Sequence, residues 1–157
     1  MNLQEEEYAH LVSCISSLNE AWNVLHNIKK NHGNSLVNPA FQFALVEYSK
    51  PYKNSFGEVK RTHKLGNEHI PLKHLNLHNK IINARDQIHA HSDLTVDEAK
   101  VYVTNTSYGK HVGISKNVIH DTEMIGEIDT IIELIEQSLD SMYKKVKQLE
   151  AALPVNS

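Results

Sequence analysis

The chain contains a single cysteine, Cys14, so no disulfide can form within it. Cys14 lies among apolar residues at helical spacing, which predicts a buried structural thiol. No apolar run approaches the roughly 18 residues that a membrane-spanning helix requires. The acidic opening stretch MNLQEEEYAH also lacks the apolar core of a secretory signal. We therefore expect a cytoplasmic protein that is neither exported nor embedded in a membrane.

The sequence also lacks net positive charge, low-complexity tracts and internal repeats. Its formal charge is −3 at pH 7, which argues against a protein that coats nucleic acid through a broad basic surface. Hydrophobic residues make up 40% of the 157 positions, enough for one core in a domain of this size. We therefore expect one folded domain that spans residues 1–157.

The charge that is present is unevenly distributed. Positions 50–91, which we call the basic segment, carry eight lysines and arginines against three acidic residues. The local charge is +5, whereas the rest of the chain carries −8. Six of the eleven histidines also fall in this segment, at positions 63, 69, 74, 78, 89 and 91. The segment is either a solvated surface or a contact surface for an anionic partner.

Apolar residues recur at three- and four-residue steps through most of the chain, which indicates amphipathic helices. The pattern predicts helices over residues 4–31, from Pro39 to Lys50, from Pro71 to about His91, and from Asp121 to about Ala152. Leu72 is among the expected apolar positions of the third helix. Residues 51–69 show turn chemistry without a period and predict a surface loop. The stretch KVYVTNTSYGKHVGIS alternates around a glycine-containing turn. We expect an all-α fold, an up-and-down four-helix bundle with a small β-hairpin before the last helix.

The densest group of chemically capable residues is RDQIHAHSD, at positions 85–93 and the end of the third predicted helix. On an ideal helix Arg85 and His89 point about 40° apart, and His91 can also approach the guanidinium if the last turn unwinds. One broad face of this helix carries His74, His78, Ile81, Arg85 and Ile88 with His89. Because apolar and cationic residues share it, we expect this face to contact another subunit and to leave a polar groove.

The order of residues from Arg85 to His91 resembles the motif of HEPN domains. In that family four to six residues separate an arginine from a histidine, and here five do, with the polar Asp86 directly after the arginine. The stretch Ala90-His91-Ser92-Asp93 is also similar to the end of the motif in abortive-infection-associated members. Members that act with nucleotidyltransferases carry a tyrosine where this chain has Asp93, so we expect no tyrosine-modified toxin.

The resemblance implies a helical bundle and, in many members, a metal-independent ribonuclease of a toxin–antitoxin or phage-defence system. When a 2′-hydroxyl attacks its own phosphate, His91 would act as base or acid, Arg85 would hold phosphate oxygens, and Asp86 would orient either side chain. One histidine per chain cannot easily serve both ends of the reaction, which favours a homodimer with two paired motifs. Further residues expected to contact the RNA are His89, His78, His74 and Lys80. We expect no cofactor and no bound metal, and an antitoxin protein as a further partner.

Three alternatives remain open. The first is a catalytically inactive HEPN-like module that binds RNA, a nucleotide or a protein through the same groove. The second is a metal-binding helical protein, because His74 and His78 have the i, i+4 spacing of a metal pair, although no third ligand supports it. In the third, Arg85 only forms a salt bridge with an acid of the last helix, such as Glu127 or Glu133.

Overall fold

The computed structural model describes residues 1–89, 100–115 and 122–154, without the side chains at positions 87–89, 115, 122 and 123. Within these ranges the chain forms α1 (Leu3–Lys30), α2 (Val37–Ser49), α3 (Leu75–His89), β1 (Lys100–Thr106), β2 (Gly109–Ser115), α4 (Thr122–Ile125) and α5 (Ile128–Ala152). Two 3₁₀ turns, Lys50–Tyr52 and Leu72–His74, follow α2 and precede α3. The protein is therefore mainly helical, with four long helices and one hairpin before the last of them.

Helix α1 begins and ends where its sequence predicts. The side chain of Asn2 accepts a hydrogen bond from the backbone of Glu5 at 3.0 Å, and the Glu5 carboxylate accepts one from the backbone of Asn2 at 2.7 Å. Gly33 follows the helix with a φ of 89°, which a residue without a Cβ adopts at little cost. The buried apolar residues of α1 recur at helical spacing, among them Leu11, Leu18, Leu25 and Ile28. The predicted helix over residues 4–31 is confirmed.

Helix α2 starts two residues before Pro39, which therefore lies in the first turn, where its missing N–H costs no helical hydrogen bond. The helix ends at Ser49, and Pro51 lies in the 3₁₀ turn that follows. Phe41 and Tyr48 are completely buried. The turn after α2 leads into residues 53–71, which contain no helix and only one isolated bridge, between Ser55 and His63. The predicted loop is confirmed from residue 53, whereas Pro51 and Tyr52, which were assigned to it, lie in the 3₁₀ turn and are buried.

Helix α3 differs from the prediction in which residues it buries. The helix was predicted to begin at Pro71, but Pro71 has an extended backbone, residues 72–74 form a 3₁₀ turn, and the α-helix starts at Leu75. Leu72, expected on the apolar face of this helix, is 89% exposed. The tighter 3₁₀ turn rotates its side chain away from the face that the α-helix buries. The buried residues of this segment are His74, Leu77, His78, Ile81 and Ala84. The face expected to contact another subunit therefore lies, over its first turns, in the core of this chain.

Strands β1 and β2 pair antiparallel, from Lys100 opposite Ser115 to Thr106 opposite Gly109. Gly109 has a φ of 119° at the turn, which again requires a residue without a Cβ. Cross-strand pairing sets four branched apolar residues on one face, Val101, Val103, Val112 and Ile114, and all four are more than half exposed. The predicted hairpin is confirmed, and it lies outside the helical core.

The last predicted helix is divided in two. Residues 126–127 form a turn between α4 and α5, so the single helix expected from Asp121 was wrong over its first turns. Gly126 has a low helix propensity and lies at this break. The apolar stripe continues on both sides of it, because Ile125 and Ile128 both pack on the core, and periodicity alone therefore hides the break. Asp121 itself lies outside the described residues.

The helices meet around one core. Helix α1 packs against α2 and α5, and α2 packs against α3. Polar contacts also join α1 to α5, since Trp22 Nε1 donates to Glu136 Oε1 at 2.8 Å and Lys29 pairs with Asp129. The largest fully buried side chains come from all four long helices, and include Leu18, Leu25, Phe41, Tyr48, Ile81 and Ile135. No helix within the described ranges is both long enough and apolar enough to cross a lipid bilayer.

Candidate functional site

The second half of α3 places Arg85 and Asp86 beside the segment that follows α2. Arg85 Nη1 donates to Asp86 Oδ1 at 3.0 Å, and Lys53 Nζ lies 2.7 Å from the same oxygen. Ala84, immediately before Arg85, is buried and fixes this part of the helix against the core. One carboxylate therefore holds together two cations from separate parts of the chain.

These cations border an open cleft, which we call the Arg85 cleft. It has a volume of about 360 Å³ and lies between α1, the 3₁₀ turn after α2, the start of the following loop, and α3. Its cationic side chains are Lys50, Lys53 and Arg85, and its wall on α1 includes His10, Ser13 and Ser17. The Arg85 side chain is 26% exposed, so the guanidinium is held by the protein yet remains reachable. Fixed cations beside hydroxyl groups suit an anion such as a phosphate.

Asp86 balances the positive charge of the cleft. The hydrogen bond from Lys53, and after it the one from Arg85, hold the pKa of Asp86 below its usual value. The carboxylate is therefore ionised at neutral pH. Lys50 is balanced separately, because it pairs with the buried Glu47. An incoming phosphate would share Lys53 and Arg85 with a carboxylate that already orients both of them.

The loop that forms one wall of the cleft is anchored to α1 by the buried carboxylate of Glu6. This carboxylate accepts hydrogen bonds from the backbone N–H groups of Val59 at 2.7 Å and Lys60 at 2.9 Å, and from Nε2 of His63. The Val59 hydrogen bond, and then that of His63, lower the pKa of Glu6 to about 2. Ser55 and His63 exchange two backbone hydrogen bonds, of 2.9 and 2.8 Å. The loop is therefore closed at its base and tied to α1 at its tip.

Gly57 permits the close approach of this loop to α1. A Cβ at position 57 would overlap the Glu6 carboxylate and would lie 2.8 Å from the backbone oxygen of Lys60. Because that oxygen belongs to the backbone, the overlap could be relieved only by moving the loop. The turn chemistry that the sequence shows at this point therefore serves a tertiary contact.

His10 lies where the Arg85 cleft meets the anchored loop. Its ring centroid is 5.0 Å from that of His63, with the planes tilted by 31°, and its Nε2 is 3.6 Å from Cys14 Sγ. Partial burial, followed by the proximity of His63 and Lys60, lowers the pKa of His10. Cys14 is a buried free thiol, as predicted, and burial raises its pKa to about 11. At neutral pH His10 is therefore an uncharged imidazole that can accept a proton.

The residues of the predicted motif are described in part. Arg85 and Asp86 lie together at the cleft. His91 lies outside the described residues, and His89 is the last described residue of α3, without a described side chain. Lys80, predicted to contact RNA, is exposed, pairs with Glu127, and is not among the residues that line the Arg85 cleft.

The two acids considered as alternative partners of Arg85 have other cations. Glu127 pairs with Lys80, and Glu133 pairs with Lys73. The carboxylate in contact with Arg85 is that of the adjacent Asp86. The guanidinium is therefore held at the cleft by its neighbour on α3 and not by the last helix.

His74 and His78 lie in the core, with exposed fractions of 5% and 4%. Nδ1 of His78 is hydrogen-bonded to the Tyr48 hydroxyl at 2.8 Å, and the Tyr52 ring packs edge-on against this imidazole at 4.5 Å. Burial lowers the pKa of His78, so its ring is neutral at neutral pH. Nε2 of His74 lies 3.6 Å from a carboxylate oxygen of Glu133. Neither histidine lines the Arg85 cleft, and the contacts that the structure gives them are internal.

Glu6 and His10 are functional residues that the motif and the basic segment do not indicate. A signal was present, because Glu6, His10 and Cys14 recur every four residues beside the apolar stripe of α1. Ionisable residues along the edge of a buried helix face require partners, which predicts a tertiary polar contact. The position of His10 in the same cleft as Arg85, 75 positions later, depends on tertiary packing that periodicity does not contain.

Among the described residues, no group of three or more histidine, cysteine, aspartate or glutamate side chains is arranged to hold a metal ion. Comparison of the chain with protein-family models, curated proteins and solved structures finds no match. What the Arg85 cleft can do is therefore inferred from its own residues and from the motif that continues from Arg85 to His91.

Proposed function

We propose that the chain is a HEPN-type domain, and that it acts as a metal-independent endoribonuclease of a toxin–antitoxin or phage-defence system. The observation that carries the proposal is the convergence of Arg85 with Lys50 and Lys53 in one open cleft. Arg85 is the first residue of the R-x5-H motif, and His91 is the last. A cleft that collects cations around the motif arginine suits a phosphodiester better than a neutral substrate.

The chemistry divides between the motif residues. The guanidinium of Arg85 and the ammonium of Lys53 can neutralise the charge that builds on the phosphate oxygens as the 2′-oxygen attacks. Asp86 orients both cations through its contacts with them. His91, whose ordinary pKa lies near neutrality, transfers the proton. His89 and Lys80 provide outer contacts to the RNA on this proposal.

The proposal includes an up-and-down bundle of α1, α2, α3 and α5 that forms a homodimer. The packing of α1 against α2 and α5, and of α2 against α3, supports the bundle. Pairing two motifs across a two-fold axis would bring two copies of His91 to one groove. The net charge of −3 favours a small or transient RNA substrate over a tightly bound duplex. An antitoxin protein would cover the groove when the ribonuclease is held inactive.

Cleavage of total RNA by the purified protein tests this function. Wild type is expected to cleave in the presence of a chelator, because no metal takes part in the mechanism. Arg85→Ala removes the main phosphate contact and His91→Ala removes the proton-transfer group. Each variant is expected to lower the rate by roughly 10²-fold or more. The readout is the fragment pattern at increasing times, with and without chelator.

Two matched controls are present in the chain. Arg61 is the other arginine of the sequence, and it is exposed and does not line the Arg85 cleft. His32 is an exposed histidine in the turn after α1. Arg61→Ala and His32→Ala are expected to cleave at the wild-type rate. Equal activity in all five proteins would contradict the proposal, and loss of activity in chelator would indicate a metal enzyme. RNA binding without cleavage, weakened by Arg85→Ala, would favour the inactive HEPN-like module.

A further inference from the structure

We propose that His10 is a second proton-transfer residue of the Arg85 cleft, where it takes the 2′-hydroxyl proton from RNA held by Arg85 and Lys53. This inference rests on the proposed ribonuclease function and adds a residue from outside the R-x5-H motif. The observation behind it is that α1 brings an imidazole into the same cleft as the motif arginine. Each chain then carries two histidines for the two proton transfers of the reaction.

The position of His10 is fixed by groups behind it. Its ring packs against His63, 5.0 Å away between centroids, and Cys14 Sγ lies 3.6 Å from its Nε2. His63 is itself held by the buried carboxylate of Glu6. Because Glu6 is ionised at neutral pH, Nε2 of His63 carries the proton that it donates. A chain of contacts therefore runs from a buried carboxylate to the imidazole at the edge of the cleft.

The charged groups around His10 come from several parts of the fold. On the side of the Arg85 cleft they are Lys50, Lys53 and Arg85. In the two neighbouring hollows that His10 also lines, they are Glu6 and Glu7 from α1, Glu58, Lys60, Lys64 and Glu68 from the loop, and Lys145 from α5, with His63 and His69 as further titratable groups. Partial burial is the largest cause that lowers the pKa of His10, followed by the proximity of His63 and Lys60. The imidazole is therefore in the form that accepts a proton.

The reaction balances without water or a metal. The 2′-oxygen forms a bond to phosphorus while its proton passes to His10, and Arg85 and Lys53 neutralise the phosphate oxygens. The bond between phosphorus and the 5′-oxygen then breaks. The leaving oxygen takes its proton from His91, the acid of the proposed function. The products are a 2′,3′-cyclic phosphate and a 5′-hydroxyl.

The first test measures the rate of oligoribonucleotide cleavage against pH for wild type and His10→Gln. Glutamine keeps much of the volume beside His63 but cannot act as a base at neutral pH. The variant is expected to lose roughly 10²-fold or more in kcat, and to lose the limb of the profile that rises as His10 deprotonates. His32→Gln is the matched control and should retain both. Circular dichroism of each variant establishes that it is folded.

The outcomes separate this inference from the proposed function. If His10→Gln keeps the wild-type rate and pH profile while Arg85→Ala is inactive, the role of His10 is overturned and the ribonuclease stands. If wild type cleaves no RNA, the ribonuclease is overturned, and with it the transfer of a 2′-hydroxyl proton to His10.

A second measurement does not depend on turnover. Uridine 3′-monophosphate is titrated into wild type while the His10 imidazole resonances are followed by NMR. Binding in the Arg85 cleft is expected to shift these resonances in wild type and far less in Arg85→Ala. Wild-type resonances that do not move at saturating nucleotide would overturn the placement of His10 beside the bound phosphate.

Discussion

A single buried carboxylate, that of Glu6, connects α1 with the loop beside the Arg85 cleft. Its pKa in the folded protein is about 2, lowered from an ordinary 4.5, with the Val59 hydrogen bond as the largest cause. A lowered pKa means that the contribution of Glu6 to stability is fully present above pH 4.5 and is lost as the pH falls toward 2. Glu6→Gln is therefore expected to lower the urea midpoint at neutral pH, with a difference from wild type that shrinks over this range.

The control for this prediction is Glu20→Gln, which removes an exposed carboxylate from the same helix. Its urea midpoint should follow that of wild type at every pH. A Glu6→Gln midpoint that stays a constant distance below wild type from neutral pH to pH 2 would show that Glu6 acts by packing and not through its charge. The loop that Glu6 anchors to α1 also carries Lys53 and Ser55, which line the Arg85 cleft. Glu6→Gln therefore also tests whether this side of the cleft depends on the hydrogen bonds to Glu6.

Single residues of the site differ in how far the sequence could identify them. Arg85 and Asp86 were selected by a local motif, and the structure brings them together because they are adjacent on α3. Lys53 joins them through a contact between segments 33 positions apart, which no local pattern contains. His74 and His78 are buried on the same helix segment as Ile81, and the sequence alone does not show that the neutral imidazole of His78 packs against Tyr48 and Tyr52.

At the scale of elements, the hairpin of β1 and β2 stands apart from the helices. The described side chains of both strands are exposed, and the branched residues of one face cover no part of the core. A two-stranded hairpin has little stability of its own, so its removal should cost the helical core little. Replacing residues 100–115 with a short glycine–serine linker is expected to change the free energy of unfolding by less than about 1 kcal/mol. Chemical denaturation measures this change.

A substitution in the core provides a reference value for the change in the free energy of unfolding on deletion of the hairpin. Ile135 is completely buried in α5, and Ile135→Ala should destabilise the protein by about 2–5 kcal/mol. A hairpin deletion that costs as much as Ile135→Ala would mean that the hairpin packs on the helices in solution. A deletion that is neutral for stability but alters RNA cleavage would assign the hairpin a role in function.

The elements themselves were predicted well where a single physical rule dominates. The apolar spacing and the capping residues of α1 define its ends within one residue, because burial and capping act on the same segment. The break between α4 and α5 was missed because Ile125 and Ile128 keep the apolar stripe continuous across it. Leu72 was misplaced because a 3₁₀ turn, which has the same composition as a helix, precedes α3. The two errors therefore come from local backbone geometry, at the α4–α5 break and at the 3₁₀ turn before α3. The helices predicted correctly are those whose apolar spacing reflects burial.

At the scale of the whole molecule, charge is separated between regions. The chain carries a net charge of −3, yet the Arg85 cleft contains three cations and the described residues that line it include no carboxylate. Asp86 and Glu47 balance these cations from outside the lining. The cleft therefore offers a phosphate a local group of cations on a chain whose net charge is negative. This arrangement agrees with a proposed site that acts on short or exposed stretches of RNA.

The proposed homodimer makes a prediction about mixtures of inactive chains. If each of two sites takes Arg85 and the base His10 from one chain and a single His91, the acid, from its partner, a hybrid of Arg85→Ala and His91→Ala contains one intact site. Random pairing at equal concentrations makes half of the dimers hybrid, so about a quarter of wild-type activity should return. The measurement is RNA cleavage before and after the two variants are mixed and allowed to exchange subunits.

Mixing each variant with the double variant Arg85→Ala/His91→Ala provides the control, because no pairing then assembles an intact groove. Native mass spectrometry with one chain tagged counts the hybrids directly. Activity that remains absent although hybrid dimers have formed would place both motif residues of a site in one chain. His10 would then take the proton of the 2′-hydroxyl, and His91 of the same chain would protonate the leaving 5′-oxygen. Dimerisation would in that case not be required for the proton transfers.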